Sequence, residues 1–255
     1  MKIATWNVNS LNVRLPQVLD WLEAVEPDVL AMQETKLSDD QFPSLEFEAA
    51  GYRSIFSGQR SYNGVAIVSK AEATRVTRDI ETLKDEQRRF IGATIAGVRV
   101  VDLYVVNGQE VGSDKYQYKL EWLQAVCEYL QSELQRHDRV VVLGDFNIAP
   151  EDRDVYDARI WHERILCSTP EREALQRILA LGLRDTFRLF EQPDKSFTWW
   201  DYRSGAFRRN WGLRIDLVLA SRALCDACTA CTVDTAPRKL QRPSDHAPVV
   251  AEFDL

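Results

Sequence analysis

With 255 residues, 45% of them apolar, the chain is long enough to bury a large core, yet no stretch is long and apolar enough to cross a bilayer. Five cysteines, an odd number without framework spacing, argue against a disulfide scaffold, and Met1 leads straight into a strand pattern with no room for a signal peptide, so a reducing cytoplasm is expected and no membrane partner. A net charge of −7 argues mildly against a nucleic-acid partner, while leaving room for a local basic patch inside an acidic total.

Lys2–Asn9 alternates and predicts a strand with Asn7 and Asn9 on one face at its end. Pro16 fits the first turn of a helix; Leu15, Val18, Leu22 and Val25 follow at helical spacing, and Pro27 ends it. A buried strand over Asp28–Met32 delivers Gln33-Glu34-Thr35-Lys36. Further strands are predicted over 52–56, 64–68 and 73–80, then a hairpin from Phe90–Ile95 through Gly97 to Val98–Val106, ending in Asn107-Gly108. Tyr116, Leu120, Leu123, Cys127, Leu130 and Leu134 form the apolar stripe of a long helix whose Glu and Lys pairs read as a solvated face.

Val140–Leu143 is four apolar residues, mostly β-branched, and reads as a strand buried on both faces. It runs into Gly144-Asp145-Phe146-Asn147. In a chain still extended there, Asp145 and Asn147 leave on one face, so a carboxylate and an amide converge where a buried strand ends. Such a pair suits charge stabilisation on a phosphate or carbonyl. The plainer alternative is an Asx-turn closing the strand. A second helix starts near Thr169-Pro170-Glu171 and stops near Gly182, a short aromatic strand spans 197–202, and the last strands cover 214–220, about 231–235 and 246–253. Helix and strand interleave without a linker, which predicts one α/β domain over 1–255, two packed sheets with helices outside.

Polar residues recur where buried strands end: Asn7, Glu34, Tyr104 with Asn107, Asp145 with Asn147, Asp216, and Asp245-His246. If those ends share one edge they make a single acidic pocket. Clustered carboxylates repel unless a cation is present, and oxygen-rich donors point to Mg²⁺ or Mn²⁺ rather than zinc. His246 can work near neutral pH, with a carboxylate such as Asp216 fixing its tautomer.

Six motifs in order, Trp6-Asn7-Val8-Asn9, Gln33-Glu34-Thr35-Lys36, Gly144-Asp145-Phe146-Asn147, Trp199-Trp200-Asp201-Tyr202-Arg203, Arg214-Ile215-Asp216 and Ser244-Asp245-His246, resemble the exodeoxyribonuclease III family of the endonuclease/exonuclease/phosphatase superfamily. The resemblance spans nearly the whole chain. It implies a four-layer α/β sandwich and Mg²⁺-dependent phosphodiester hydrolysis on double-stranded DNA, 5′ to abasic sites and at 3′ ends, by a monomer. It also implies roles. Glu34 is the main metal ligand, supported by Asn7, with Asp145, Asn147, Asp245 and His246 completing the metal surroundings. Asp145 activates or orients the attacking water, Asn147 holds the phosphate, and Tyr104 meets the phosphate or the leaving oxygen. Asp216 pairs with His246, which touches the scissile phosphate. The base is Asp145 or, second, the His246–Asp216 pair. Asn107, Trp199 and Leu213 contact substrate, the last two walling the abasic sugar pocket.

The chain departs from the family pattern at Val106, where a proline is frequent, and at Leu213, where some relatives carry an aromatic. Residues 202–214 hold four arginines and three aromatics, read as a hairpin whose Arg208 and Arg209 bind DNA phosphates. Lys115, Lys119, Arg238, Lys239 and Arg242 are weaker candidates for the same work. Cys225, Cys228 and Cys231 lack a fourth ligand and read as small hydrophobes; His137 and His162 read as surface residues. Two other functions compete: a phosphatase of the same superfamily on a small phosphorylated substrate, and a catalytically silent nucleic-acid-binding relative.

Overall fold

The computed structural model describes residues 1–83 and 85–255. Its strands are β1 Lys2–Asn7, β2 Val29–Gln33, β3 Arg53–Ser57, β4 Val65–Ser69, β5 Ala73–Thr77, β6 Phe90–Ile95, β7 Val98–Tyr104, β8 Val140–Asp145, β9 Arg184–Asp185, β10 Asp216–Ala220, β11 Cys228–Val233 and β12 Val249–Phe253. The helices are α1 Leu11–Val25, α2 Ser44–Ala49, α3 Asp114–Arg136, α4 Ala158–Trp161, α5 Thr169–Ala180, α6 Ala206–Arg209 and α7 Arg222–Cys225. One sheet runs β11-β12-β1-β2-β4-β3 and the other β5-β6-β7-β8-β10-β9.

The two sheets share a plan. In each, a parallel pair lies at the centre, β1 with β2 and β7 with β8, flanked by antiparallel neighbours. The parallel strands therefore bring their C-terminal ends to one edge, and the antiparallel β10 and β12 bring their N-terminal starts to the same edge. Alternation sorts the side chains into layers. Ile3, Val29, Ala31, Val141 and Leu143 point into a core between the sheets. Their neighbours turn outward: Ala4, Leu30 and Met32 pack with Leu11, Val18 and Leu22 of α1, and Val140 and Val142 pack with Trp122, Val126 and Leu175 of α3 and α5. The result is the expected four-layer α/β sandwich, and it explains why the central strands read as continuous apolar runs.

Three local expectations are corrected. Helix α1 begins at Leu11, so Pro16 lies inside it; burial of Leu11, Val18, Trp21 and Leu22 outweighs the backbone bond that proline removes. Residues 197–202 form no strand: Trp199 makes only isolated antiparallel bridges, to Leu213 and to His246. The arginine-rich stretch is closed at its base by the first of these bridges but is no hairpin. Ser204 and Gly205 are left-handed (φ 59° and 61°), which breaks the extended chain and starts α6.

The long helix also departs from a fully solvated charged face. Glu133 is buried and paired with Arg99 of β7, and Lys119 is buried and paired with Glu171 of α5. Val106 is buried in the core beneath α3, so packing there does the stiffening that proline does elsewhere. Cys225, Cys228 and Cys231 are free thiols. His162 is exposed, and His137, half-buried, caps the C-terminus of α3.

Candidate active site

At the edge where the strand ends meet, the layer between the sheets changes from apolar to polar. One step in, Gln33 donates to Thr5 (2.9 Å) and to Asp102 (2.6 Å). At the mouth stand Asn7, Glu34, Tyr104, Asp145 and Asp216. Asn7, Tyr104, Asp145 and Asp216 have the same inward parity as the apolar residues beneath them, which is why four separate strands deliver them to one place.

Asn7 is the clasp. Its Nδ2 donates to Glu34 Oε1 (3.0 Å) and Asp145 Oδ2 (2.9 Å), while its Oδ1 accepts the Asn9 backbone N–H (3.0 Å). Ligand atoms of Glu34, Asp145 and His246 all lie within 4.8 Å of one another. The two carboxylates of that set, at the mouth of a buried layer, fit a hard divalent cation, with the imidazole beside them. Asn7, Asn147 and Asp245, also implied as metal ligands, carry hydrogen bonds on their oxygens, as Glu34 and Asp145 do. Asn147 Oδ1 accepts from Asn107 Nδ2 (3.1 Å), and Asp245 accepts from Asn9 Nδ2 (2.9 Å) and Trp199 Nε1 (3.0 Å).

Asp145 and Asn147 do converge, but through a turn rather than strand alternation. Strand β8 ends at Asp145, Asn147 is left-handed (φ 48°), and its N–H returns to Asp145 Oδ1 (2.9 Å). The Asx-turn and the site are thus one structure. Asn147 Nδ2 then reaches Val105 O (3.0 Å) and Asp145 Oδ2 (3.2 Å). Gly144 is obligatory here: a Cβ on it would stand 1.9 Å from Leu103 O of β7, and its φ is 138°.

His246 Nδ1 lies 2.9 and 3.1 Å from the two Asp216 oxygens, and Nε2 lies 3.8 Å from Asp145. Thr198 Oγ1 accepts the Ile215 and Asp216 N–H groups (3.0 Å each) and so fixes the start of β10. Burial presses the His246 pKa down, but Asp216, Asp145 and Asp245 outweigh it and push it up to about 10, so the ring holds its proton in the metal-free protein. Burial, against the pull of His246, raises Asp145. Burial raises the Tyr104 phenol well above its usual value, with Glu34 adding to the effect, so it stays neutral. Arg89 stacks over its ring at 4.5 Å.

Around this centre, Lys36 bridges Glu34 (2.9 Å) and Asn9 Oδ1 (2.5 Å), completing a chain of contacts from Glu34 through Asn9 and Asp245 to Trp199. Arg208 and Arg209 are exposed, and Arg209 lies 4.6 Å over Trp211. A cavity of about 670 Å³ opens beside Asn107, lined among others by Arg89, Lys115, Gln109 and Tyr62. Three expected substrate-facing residues are displaced. Leu213 is fully buried among Val155, Leu166 and Ile215, so Trp199 alone faces outward there. Arg238 is buried, donating to Ser244 O and lying against Trp200, Tyr202 and Phe207. Lys119 has no exposed surface.

A family model described as endonuclease/exonuclease/phosphatase matches residues 4–246. The chain belongs to this family. It is 34% identical to the exodeoxyribonuclease III of Haemophilus influenzae, across 99% of this chain and all of that one. It superposes on the 3′–5′ exonuclease NExo of Neisseria meningitidis with a TM-score of 0.98 at 50% identity, and on an AP endonuclease of Archaeoglobus fulgidus with 0.96 at 40%, both chains fully covered each time. The structure of the 3′ phosphatase NExo from Neisseria bound to a product DNA hairpin matches at 0.98 and 49%, again with both chains fully covered.

Sequence reading gave no role to Lys36 or Glu171 and placed Asn9 only on the strand face of Asn7. Asn9 and Lys36 sit two residues beyond Asn7 and Glu34, a spacing that carried a signal. Strand alternation does not describe either segment, because Asn9 (φ 41°) and Glu34 (φ 53°) are left-handed.

Proposed function

We propose that this chain cuts phosphodiester bonds of duplex DNA at 3′ ends and 5′ to abasic sites, using Mg²⁺ or Mn²⁺ held by Glu34 and Asp145, as one domain and a monomer. It is a DNA repair nuclease of the exodeoxyribonuclease III type, a hydrolase of DNA phosphodiester bonds. The observation that carries the finer reading is the meeting of Glu34, Asp145 and His246 within 4.8 Å at the mouth of the inter-sheet layer. The names of the related exonuclease, 3′ phosphatase and AP endonuclease support the two substrates.

The bound cation would neutralise charge on the phosphate oxygens and lower the pKa of water beside it. This chain's residues do the rest. Protonated His246, held by Asp216, donates from Nε2 to a phosphate oxygen. Its proton makes it a poor ligand, which leaves the cation to the two carboxylates. Asp145, steadied by Asn7 and Asn147, orients the attacking water and takes its proton. The amides of Asn107 and Asn147 flank the phosphate, and the neutral Tyr104 phenol donates toward the leaving oxygen. Arg208 and Arg209 meet backbone phosphates farther along the duplex.

The test uses two duplexes, one with an internal abasic site and one with a recessed 3′ end. Both should be cut with Mg²⁺ and neither in excess chelator. Glu34→Ala should abolish cutting with its thermal melt preserved. Full activity in chelator would overturn the reading.

A further inference from the structure

A buried ion pair lies directly beneath the site and has no part in the chemistry above. Lys119 of α3 and Glu171 of α5 are both without exposed surface and in contact with each other. The ammonium also donates to Asn147 O (2.7 Å) and Asn107 O (3.2 Å). Three N–H donors thus meet three acceptors, and none is spare. Glu171 is equally occupied: it accepts from Leu166 N–H (3.0 Å), Ser168 N–H (3.1 Å) and Ser168 Oγ (2.6 Å), and Ser168 Oγ in turn lies 2.7 Å from the Tyr116 hydroxyl.

We propose that Lys119 is a positioning residue for phosphodiester hydrolysis: anchored by Glu171, it grips the backbone carbonyls of Asn107 and Asn147 and so sets the two loops whose carboxamides hold one another and Asp145 in place beside the scissile phosphate. The two carbonyls belong to different loops, one after β7 and one after β8. Each loop contains a left-handed residue, Gly108 (φ 90°) and Asn147 (φ 48°), so neither follows from strand geometry alone. The grip is passed on: Asn107 Nδ2 bonds Asn147 Oδ1 (3.1 Å), and Asn147 Nδ2 bonds Asp145 Oδ2 (3.2 Å). Stability is a weak reason for such a pair, because a well-packed apolar pair of the same size commonly does as well. An apolar pair, however, has no donors with which to hold two carbonyls.

The inference rests on the proposed roles of Asn107 and Asn147 at the phosphate, so Asn147→Ala is measured beside the new variants. The full-length protein with Mg²⁺ and the abasic duplex serves throughout, with steady-state kinetics and thermal melts. Lys119→Met should lower kcat about 10- to 100-fold, the scale of a misplacement near 1 Å, with KM for DNA changed less than about threefold. Lys119→Met and Glu171→Gln should each lower the melting temperature by leaving one charge unpaired. The double variant Lys119→Met/Glu171→Gln should recover melting temperature yet keep the low kcat. It also decides the matter if a single variant fails to fold. Parental kcat in either Lys119 variant, or recovery of kcat together with melting temperature in the double, overturns the proposal and leaves a merely structural pair. If Asn147→Ala itself keeps parental kcat, the roles given to the site's amides are wrong, and the positioning role falls with them.

Discussion

Asp145 is asked to be both a cation's ligand and a proton acceptor, and its surroundings make the second role testable. The Asn7 and Asn147 amides keep its oxygens in place, facing the position of the attacking water. Asp145→Asn should therefore lower kcat by about 10²-fold or more with little change in KM, since the interaction it removes belongs to the transition state. A change confined to KM would reduce Asp145 to a substrate clamp. His246 offers a spectroscopic check. With three histidines in the chain, an NMR titration of chelator-treated protein should show one imidazole titrating near pH 10, and Asp216→Asn should move it down because the closest carboxylate charge is gone. A His246 that titrates near its ordinary value in the parent would remove it as the proton-bearing partner of the phosphate. At this scale the sequence was informative wherever a site residue ended a strand. It misplaced Lys119, whose charge argued for the surface and a DNA contact, and it was silent on the partners of Asp245, which lie far along the chain.

Among the elements, the stretch from Trp199 to Leu213 departs most from its sequence pattern. Aromatic and arginine residues suggested strands, but two left-handed positions fold it into a turn and α6. Its anchor is Arg238, which comes well after it in the chain and is buried among Trp200, Tyr202 and Phe207. No local pattern reveals such an anchor, because an arginine beside Pro237 and Lys239 reads as surface. Arg208→Ala with Arg209→Ala should flatten the salt dependence of duplex binding by roughly 0.9 in log–log slope for each phosphate no longer neutralised. An unchanged slope would take α6 out of the interface. Trp199 has two separable functions, its ring face and its Nε1 donor to Asp245. Trp199→Phe keeps a wall and removes the donor; Trp199→Ala removes both. If the ring walls the sugar pocket, the alanine variant should lose abasic cleavage well beyond the phenylalanine variant. Equal losses would mean that only the bond to Asp245 matters.

For the molecule as a whole, the layered plan was legible because the central strands are buried on both faces and read as unbroken apolar runs. The polar cargo of the middle layer was not, since Thr5, Gln33 and Asp102 meet across the two sheets. Burial holds the Asp102 carboxyl well above the usual carboxylate range, against the opposing bond from Gln33. Asp102 Oδ2 and Gln33 Oε1 are both buried without a protein partner among the described residues, so a proton retained on Asp102 supplies a donor this layer lacks. The folded state then binds a proton that the unfolded chain releases above about pH 4, and stability falls as pH rises from there through the folded-state pKa. Asp102→Asn should remove that slope, and urea melts should show it gaining about 1 kcal/mol or more on the parent between about pH 5 and pH 8. Parallel pH profiles for the two proteins would contradict this.

The doubly covered central strands have a further consequence, which hydrogen exchange would read. Amides in β1, β2, β7 and β8 can reach solvent only when a helix layer or the opposite sheet comes away, so they should exchange at the rate of global unfolding. Asn7, Glu34, Tyr104 and Asp145 ride on the ends of these four strands, whereas the largely exposed stretch 203–211 should exchange far sooner. The enzyme would then keep two clocks, a slow one under its chemistry and a fast one under the arm that feels along the duplex, and DNA binding should slow the second while leaving the first untouched.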